Sequence, residues 1–380
     1  MQSDDRIKLL YLSVHDPHVP LTGTGARVGA FVNHLAARHH VDLVYLDGSG
    51  QPPSPALSAK YASSVTGVAS KTCIPFSARS YFIFSRALYR AAAARLASQR
   101  YDYIICDYGL SAVYGLLLSR RFRIPFIYSS HNIEFRQHLG KARLDPRRLP
   151  IGLYVYAAER LAVKYARCVI AIAPADADFY ARWIPREKML VIPQGFDEQL
   201  FNPFYEPPRN ARKIILFCGN FKIQTNRQVI DTVLTHILKP VLAQYPDALF
   251  RFVGSWPPRD VQHPNVEFTG FLEDYPGALK QADVVISPML QGWGFPTKIV
   301  ESLACGKPTI TTPVGGRALE KDYHILKFAE LDTFGAQICQ SLRDAEPVTA
   351  VDHPKVKARY SWAANVQKLS DWIVRDAGRA

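Results

Sequence analysis

The sequence lacks any apolar run that approaches the roughly 20 residues a helix needs to cross a bilayer. Its first stretch, MQSDDRIKLLYLSV, has two aspartates ahead of a short apolar segment and no small-residue cleavage site. This composition predicts a first β-strand instead of a secretory signal peptide, so we expect a cytoplasmic protein.

Cysteine is also scarce and scattered. No C-x-x-C pair occurs, and no cluster of cysteine and histidine has the spacing of a zinc site. The pattern excludes a disulfide-rich scaffold and indicates small buried thiols in a reducing compartment. The six cysteines are Cys73, Cys106, Cys168, Cys218, Cys305 and Cys339.

Acidic residues are outnumbered, and the excess of positive charge is uneven. The 380 residues carry a formal net charge of +13. Residues 1–205 hold 25 Lys and Arg against 15 Asp and Glu, whereas residues 206–380 hold 21 against 18. Basic surface of this kind suits nucleic acid, an anionic membrane or a phosphorylated substrate. No nucleic-acid-binding module is recognisable, so we expect no nucleic-acid partner.

Apolar strand-like runs alternate with amphipathic helical runs through the whole chain. IKLLYLSV, VDLVYLD, YDYIICDY and CVIAIAP are such runs in the first half, and the alternation restarts with KIILFCGN. This order predicts parallel sheets covered by helices on both faces. The length suits two domains. We therefore predict an α/β protein with two tandem Rossmann-like, doubly wound domains and a cleft between them.

The domain boundary is predicted in residues 193–213, which are rich in proline and polar residues and show little periodicity. We therefore expect one domain over residues 1–205 and a second over residues 206–380. The final amphipathic helix, about 356–377, could pack back on the first domain.

One stretch carries the strongest chemical signal, QGWGFPTKIVESLACGKPTITTPVGG, residues 291–316. A predicted strand leads through a loop with Gly292 and Gly294 into a helix from about Thr297. Glycines allow a ligand to approach the backbone, and the free N–H groups of a helix N-terminus attract anions. Lys298 can meet the same anion, and Glu301 can accept hydrogen bonds from vicinal hydroxyls such as those of a ribose. The stretch predicts a nucleoside-diphosphate site.

These residues resemble the donor-binding signature of glycosyltransferase family 4, whose members are retaining enzymes of the two-domain GT-B fold. Other segments are similar to the family in the expected order, namely PLTGTGARVGAFVNHLA, SSHNIEF, MLVIPQGFDEQLFNP, FCGNFKIQTNRQVI and VEFTGFLEDY. The resemblance covers nearly the whole chain. It implies that residues 1–205 bind the acceptor and that residues 206–380 bind a nucleotide-sugar donor.

The resemblance also implies site residues. His131 and Lys298 are the candidate catalytic residues, and Glu134 either orients the histidine or caps a helix. The donor nucleotide and diphosphate would contact Gly219, Asn220, Lys222, Arg227, Phe271, Gly292, Gly294, Phe295, Pro296, Thr297, Lys298 and Glu301. The sugar or acceptor would face Asp16, Gly23, Gly25, Asn132 and Trp293.

Two departures from the family pattern concern the donor. The common Glu-x7-Glu pair lacks its first member, because Trp293 lies eight positions before Glu301. The Arg and Lys that often follow the first strand of the second domain are replaced by Asn220 and Thr225. We expect Lys298 to bind the diphosphate in their place, as in relatives with a G-x-x-x-K-x-x-E form.

A basic stretch, residues 136–150, precedes the helical segment LYVYAAERLAVKYARC. It is either a solvated face or a surface that docks on anionic lipid head groups at the inner face of the membrane. Docking would suit a peripheral enzyme with a lipid-diphosphate-linked acceptor.

Together these features predict a hexosyltransferase of the EC 2.4 class. It would move a hexose from a nucleotide sugar, such as a UDP-sugar or GDP-mannose, to a glycan or lipid-linked acceptor in polysaccharide or glycolipid synthesis. The resemblance implies retention at the anomeric carbon, no metal ion and no cofactor besides the donor substrate. Two alternatives stay open, a nucleotide-sugar epimerase of the same fold and a catalytically inactive nucleotide-sugar-binding module.

Overall fold

The computed structural model describes residues 6–17, 23–47, 63–69, 73–75, 82–142, 145–205, 211–291, 295–344 and 351–378. The chain divides into two compact units, one of Met1–Gln194 with Trp362–Ala380 and one of Gly195–Ser361. Each unit has its own large sheet, and all strand pairs of both sheets are parallel. The prediction of two tandem Rossmann-like α/β domains is confirmed.

The first unit contains a seven-stranded sheet with the order β3-β2-β1-β6-β7-β8-β9. Its strands are β1 (Lys8–Ser13), β2 (His40–Asp47), β3 (Ser64–Ala69), β6 (Tyr103–Asp107), β7 (Phe126–Ser129), β8 (Cys168–Ala171) and β9 (Met189–Val191). A separate antiparallel pair consists of β4 (Cys73–Pro75) and β5 (Phe82–Ser85). The helices are α1 (Gly23–Ala36), α2 (Arg86–Ser98), α3 (Ala112–Phe122), α4 (Glu134–Ala142), α5 (Leu149–Tyr165) and α6 (Pro174–Tyr180).

The apolar run in β1 explains why this sheet is buried on both faces. Side chains alternate along the strand, so that Leu10 and Leu12 pack into one core and Leu9 and Tyr11 into another. A parallel sheet between two layers of helices needs apolar side chains on both faces, and the continuous run supplies them.

The second unit contains a six-stranded sheet with the order β12-β11-β10-β13-β14-β15. Its strands are β10 (Ile214–Cys218), β11 (Leu249–Val253), β12 (Val266–Gly270), β13 (Val284–Ser287), β14 (Thr309–Thr311) and β15 (Leu326–Phe328). The helices are α7 (Gln224–Thr232), α8 (Leu238–Leu242), α9 (Tyr275–Gln281), α10 (Thr297–Ala304), α11 (Leu331–Asp344) and α12 (His353–Tyr360). A π-helical turn, Val233–Ile237, connects α7 to α8.

The last helix, α13 (Trp362–Ala377), belongs to the first unit. It packs on α1, where the rings of Phe31 and Trp362 lie 6.1 Å apart. Near its end, Asp376 pairs with Arg167 at 2.7 Å. These contacts hold the end of the chain against the first sheet.

The compact units differ from the domain limits drawn from the sequence. The second unit begins at residue 195 instead of 206 and ends at residue 361 instead of 380. The helix expected over about 356–377 is two helices, α12 and α13, which separate at Ser361. Only α13 carries the apolar face that packs on the first unit.

Each sheet reverses its strand order beside its first strand. In the first unit β2 lies on one side of β1 and β6 on the other, and in the second unit β11 and β13 flank β10 in the same way. In open α/β sheets the loops at the carboxyl ends diverge at such a reversal and leave a crevice that binds ligands. We therefore expect ligands to bind in the crevice between β1 and β6 and in the crevice between β10 and β13.

Gly254 allows the loops that follow β10 and β11 to touch. Its φ is +143°, and a Cβ atom there would lie 1.9 Å from the carbonyl oxygen of Gly219. The N–H of Gly219 donates to the carbonyl of Val253 at 2.9 Å, which fixes the two loops together. Only glycine fits this approach of backbone to backbone.

We predict that Gly254→Ala lowers the free energy of unfolding by about 3 kcal/mol, because backbone atoms cannot move aside as a flexible side chain can. Gly140 on α4 is the matched control, since a Cβ atom there meets nothing within 4 Å. Gly140→Ala should leave stability unchanged or raise it by about 0.5–1 kcal/mol through helix propensity. Urea-induced unfolding measures both, and a Gly254→Ala variant as stable as the wild type would contradict the described contact.

Candidate functional site

The crevice of the second sheet is bordered by the loop after β10 and by the segment that leads from β13 into α10. Strand β13 ends at Ser287 and α10 begins at Thr297. Gly292, Trp293 and Gly294, which carried part of the prediction, lie outside the described residues.

Lys298 lies half-buried in the first turn of α10. Its Nζ donates a hydrogen bond to Oδ1 of Asn226 at 3.2 Å and lies 4.2 Å from the centre of the Phe217 ring. Burial lowers the pKa of Lys298, and the nearby Cys218 and Glu301 partly offset that effect. Because the hydrogen-bond partner among the described residues is a neutral amide, the positive charge stays available to an anion.

Asn226 joins Lys298 to the loop after β10. Its Nδ2 donates to the carbonyl of Asn220 at 2.9 Å, and its side chain lies so close to Gly219 that a Cβ there would be 2.8 Å from Cγ of Asn226. Oδ1 of Asn220 accepts the N–H of Lys222 at 2.9 Å. One buried amide thus fixes this loop against α10.

Glu301 lies half-buried one turn after Lys298. Burial raises the pKa of Glu301 to about 7, although a hydrogen bond from Tyr275 and the charge of Lys298 act in the opposite direction. The hydroxyl of Tyr275 also lies 2.9 Å from Sγ of Cys218. Above pH 7 the carboxylate can accept hydrogen bonds from two hydroxyl groups.

Phe295, Pro296 and Thr297 form the entry to α10. The N–H of Thr297 donates to the carbonyl of Phe295 at 2.9 Å, and the Phe295 ring packs 5.6 Å from that of Tyr360. Pro296 occupies the position before the first helical residue. These contacts set the direction in which α10 leaves the crevice.

Two other residues predicted to contact the donor, Arg227 and Lys222, interact with neighbouring side chains, and a third, Phe271, is exposed. Arg227 makes two hydrogen bonds to Asp260, at 2.9 and 3.0 Å. Nζ of Lys222 lies 5.0 Å from the centre of a ring of Trp256. Phe271, just after β12, is 54% exposed. Lys298 is therefore better placed than Arg227 to meet a diphosphate, because Arg227 would first have to leave Asp260.

The crevice of the first sheet brings together side chains from the ends of three strands. Nε2 of His131, after β7, lies 2.9 Å from Oδ2 of Asp107 at the end of β6, and both side chains are buried. His15, after β1, stacks on His131 with ring centres 6.3 Å apart. The arrangement holds the predicted His131 in one orientation.

Asp107 keeps its charge in this buried position. Burial alone would raise its pKa, but the charge and hydrogen bond of His131, together with Arg27, lower it. The buried guanidinium of Arg27 also donates to the carbonyls of Ile192 and Pro193, at 3.2 and 3.3 Å. A carboxylate next to a histidine fixes the ring and favours a proton on the nearer nitrogen.

Tyr108 has a strained backbone beside this pair. Its φ is +79°, which a non-glycine residue rarely adopts. Its ring meets His15 and His131 edge-on, with centres 4.6 and 5.6 Å away. Strain of this kind costs about 1–3 kcal/mol and is concentrated at functional sites.

The remaining predicted residues of the first unit are less closely tied to His131. The carbonyl of Asn132 accepts hydrogen bonds from Ser130 and Tyr180, so this residue has a structural role in the loop. Gly23 and Gly25, which were predicted to face the sugar or acceptor, lie in the first turn of α1. Asp16 is half-buried after β1.

In the described parts of the chain, the two crevices included, no three or more His, Cys, Asp or Glu side chains are grouped so that they could hold a metal ion.

Family models match both units. The model for Glycosyltransferase Family 4 matches residues 21–200, and the model for Glycosyl transferases group 1 matches residues 212–344. Each unit thus matches a glycosyltransferase domain model, and the chain has the two Rossmann-like domains of the GT-B fold.

Solved structures share this GT-B fold. Sucrose-phosphate synthase from Thermosynechococcus elongatus is 20% identical, with a TM-score of 0.74 over 99% of this chain and 100% of that chain. Anabaena HepE (Alr3699), solved in complex with UDP and glucose, is 16% identical, with a TM-score of 0.68 over 97% of this chain and 99% of that chain.

Curated relatives of this GT-B chain are glycosyltransferases. D-inositol 3-phosphate glycosyltransferase from Arthrobacter sp. (strain FB24) is 27% identical over 245 residues, 57% of this chain and 55% of the relative. 2-deoxystreptamine N-acetyl-D-glucosaminyltransferase from Streptomyces fradiae is 26% identical over 225 residues, 53% of this chain and 52% of the relative. The chain spans about half the length of the curated relatives it matches.

Sequence reasoning missed the partners of the predicted residues in this GT-B chain. Asp107, Asn226 and Tyr275 were not identified, although they contact His131, Lys298 and Glu301, respectively. Asp107 ends the apolar strand YDYIICD, and a charged residue at the end of a buried strand was a usable signal. Asn226 and Tyr275 had no comparable signal.

We predict that the folded chain loses stability through Glu301 as pH rises from about 5 to 7. Its pKa of about 7 in the folded chain exceeds the ordinary value of 4.5, so the folded state binds more protons than the unfolded state between these values. The loss is at most about 3 kcal/mol, and solvent around the half-buried group reduces it.

Thermal unfolding of the wild type and of Glu301→Gln across this pH range measures the effect. The difference between their melting temperatures should change between about pH 5 and pH 7 and stay constant above, because glutamine does not titrate. A difference that does not depend on pH would contradict the raised pKa of Glu301.

Proposed function

We propose that the chain is a glycosyltransferase that moves a hexose from a nucleoside-diphosphate sugar to a glycan or lipid-linked acceptor, with retention at the anomeric carbon. The observation that carries the proposal is the ammonium of Lys298, in the first turn of α10 with a neutral amide as its partner. A cation at a helix N-terminus whose hydrogen-bond partner is neutral favours a phosphate group. Its place beside the strand reversal is where α/β sheets bind nucleotides.

A nucleotide sugar is the donor that fits this crevice. Lys298 would bind the diphosphate, and Glu301, one turn further along α10, would accept hydrogen bonds from the ribose hydroxyls. Support for uridine comes from Anabaena HepE, whose structures hold UDP or UDP-glucose. UDP-sugars are therefore the first donors to test, followed by GDP-mannose.

Stabilisation of the leaving group would be the main catalytic effect. Breaking the bond between sugar and phosphate leaves negative charge on the diphosphate and an oxocarbenium-like sugar. The ammonium of Lys298 and the N–H groups at the start of α10 would stabilise that negative charge without rearrangement. Lys222, in the neighbouring loop, would supply a second cation. The proposal includes no metal ion.

The first unit would contribute His131. Its ring, held by the 2.9 Å contact with Asp107, would hydrogen-bond the donor sugar or the acceptor. The acceptor oxygen would form its bond on the face from which the phosphate departs, and the departing phosphate would take the acceptor proton. This sequence gives retention at the anomeric carbon.

The names of the relatives support a class of acceptor. The two named above act, by their names, on an inositol phosphate and on 2-deoxystreptamine, both of which carry several hydroxyl groups on a ring. We propose a polyhydroxylated acceptor, a glycan or a glycolipid precursor, for this chain.

We predict that Lys298→Ala weakens the affinity for the preferred nucleoside diphosphate about 10- to 100-fold, because a hydrogen bond to a charged group contributes about 1.5–3 kcal/mol. Thermal-shift and calorimetric titrations with UDP, GDP, ADP and their hexose conjugates, each run first without and then with a chelator, measure the affinity. Lys239→Ala, which removes an exposed lysine on α8, is the matched control and should bind like the wild type.

Each titration outcome has a definite meaning. If no nucleoside diphosphate binds the wild type, the proposed donor site is wrong. If Lys298→Ala binds one of them as tightly as the wild type does, the diphosphate lies elsewhere. If binding disappears when the chelator is added, the site requires a metal ion.

We also propose that α5 docks the enzyme on an anionic membrane. Several apolar side chains of α5 are between 40% and 60% exposed, namely Leu149, Leu153, Tyr156, Leu161 and Tyr165. Arg147 precedes the helix and Lys164 lies in its last turn. Exposed leucine and tyrosine combined with basic residues suit the interface of an anionic bilayer. None of the described helices is both long enough and apolar enough to cross a membrane.

We predict that Leu153→Ser reduces binding to phosphatidylglycerol vesicles by up to about 10-fold, since burying a leucine fully contributes about 1.5–3 kcal/mol. Leu153 is 54% exposed, and Leu200 in the second unit, 53% exposed, is the matched control. Vesicle co-sedimentation measures both variants, with phosphatidylcholine vesicles as the uncharged reference. Equal binding of Leu153→Ser and Leu200→Ser would contradict docking through α5.

A further inference from the structure

Two buried glutamates lie beside the His131 segment, and the proposed transfer uses neither of them. Glu134 is the first residue of α4, three residues after His131, and Glu159 lies within α5. Neither side chain is accessible to solvent. A carboxyl group in such a place either has partners that stabilise its charge or stays protonated.

Glu159 has the partners of a carboxylate. It accepts hydrogen bonds from the N–H groups of Phe135, at 3.0 Å, and Glu134, at 3.3 Å, which are the first two residues of α4. It also accepts from the hydroxyl groups of Tyr180 and, at 3.5 Å, Tyr128. Negative charge at a helix N-terminus is stabilised by the N–H groups there, so Glu159 caps α4 from another helix.

Glu134 has the surroundings of a neutral acid. Its side chain packs against Gly109, where a Cβ atom would lie 2.7 Å from Cγ of Glu134. Burial raises the pKa of Glu134 well above its ordinary range, and the charges of Glu159 and Asp107 raise it further. Tyr108 and the backbone of His131 act in the opposite direction without reversing the shift, and neither carboxyl oxygen of Glu134 has a hydrogen-bond partner among the described residues.

We propose that Glu134 and Glu159 act as a pair of positioning residues, with a proton held on Glu134 and the charge on Glu159, that fixes the segments of Tyr108 and His131. This inference rests on the proposed function only where it assumes that His131 contacts the donor sugar or the acceptor. The protonation of the pair is a property of the folded chain and can be tested without a substrate.

The pair restrains a segment whose backbone is strained at Tyr108. A φ of +79° persists in a tyrosine only when several contacts on the surrounding structure enforce it. The N–H of Tyr108 donates to the carbonyl of Ser129 at 2.8 Å, and Ser111 donates to its carbonyl through both N–H and hydroxyl. Glu134 packs against Gly109, the residue after Tyr108, and so keeps the segment of Tyr108 next to His131.

Infrared spectroscopy tests where the proton is. At a pH of about 9, two units above the pKa of about 7 of Glu159, only a strongly shifted carboxyl group keeps its proton. We expect the wild type to show the carbonyl stretching band of a protonated carboxylic acid, Glu134→Gln to lack it and Glu159→Gln to keep it. Absence of the band from the wild type would overturn the proposal.

Kinetics test the positioning role. Glu134→Gln keeps a neutral side chain of the same size, so its kcat should stay within about 3-fold of the wild type. Glu159→Gln removes the charge that caps α4 next to His131, and its kcat should fall about 10-fold. The KM for the donor should not change in either variant. Glu187→Gln, which alters an exposed glutamate of the same unit, is the control.

The outcomes separate this proposal from the proposed function. If Glu134→Gln lowers kcat as much as Glu159→Gln does, the pair does not act as described. If Glu159→Gln does not fold, the infrared comparison of the wild type with Glu134→Gln still locates the proton. If the chain has no transferase activity while the band behaves as expected, the proposed function fails and the pair stands as a structural feature of this unit.

Discussion

Parallel pairing brings the carboxyl ends of all strands in a sheet to one edge, and both sheets of this chain reverse their order beside the first strand of the sheet. The connections on either side of a reversal leave in opposite directions, so the backbone opens there and side chains from neighbouring loops converge. Asp107 and His131 meet at the first reversal, and Asn226 and Lys298 meet at the second. No single loop could assemble either group, because the members of each lie at the end of or after different strands in the chain.

The converging side chains carry charge that the fold does not fully neutralise. Burial lowers the pKa of Lys298 and raises that of Glu301, so both charges are held at some cost to stability. Asp107 stays ionised because His131 and Arg27 outweigh its burial. Charge that is already in place when a leaving group departs needs no reorganisation, and this is the condition for electrostatic catalysis.

Local patterns in the sequence predicted one part of this structure and long-range pairing determined the rest. The two sheets were predictable because their central strands are continuous apolar runs, whereas β15, with three residues, carries too little pattern. Lys298 was predictable from its spacing to the start of α10. The pairing of Asp107 with His131 was not, because these residues lie 24 positions apart and only the strand order joins them. Arg227 was expected at the diphosphate, and nothing local indicated its pairing with Asp260.

Turnover by the wild type and by Lys298→Ala tests the claim that Lys298 stabilises a departing diphosphate. The measurement is the release of nucleoside diphosphate from saturating UDP-glucose or GDP-mannose, with and without a mixture of glycan and lipid acceptors. We expect acceptor-dependent release by the wild type and a kcat lower by about 100-fold in Lys298→Ala, the usual cost of removing one preorganised charge contact. Equal kcat values in the two proteins, or no release from any donor with any acceptor, would contradict the claim.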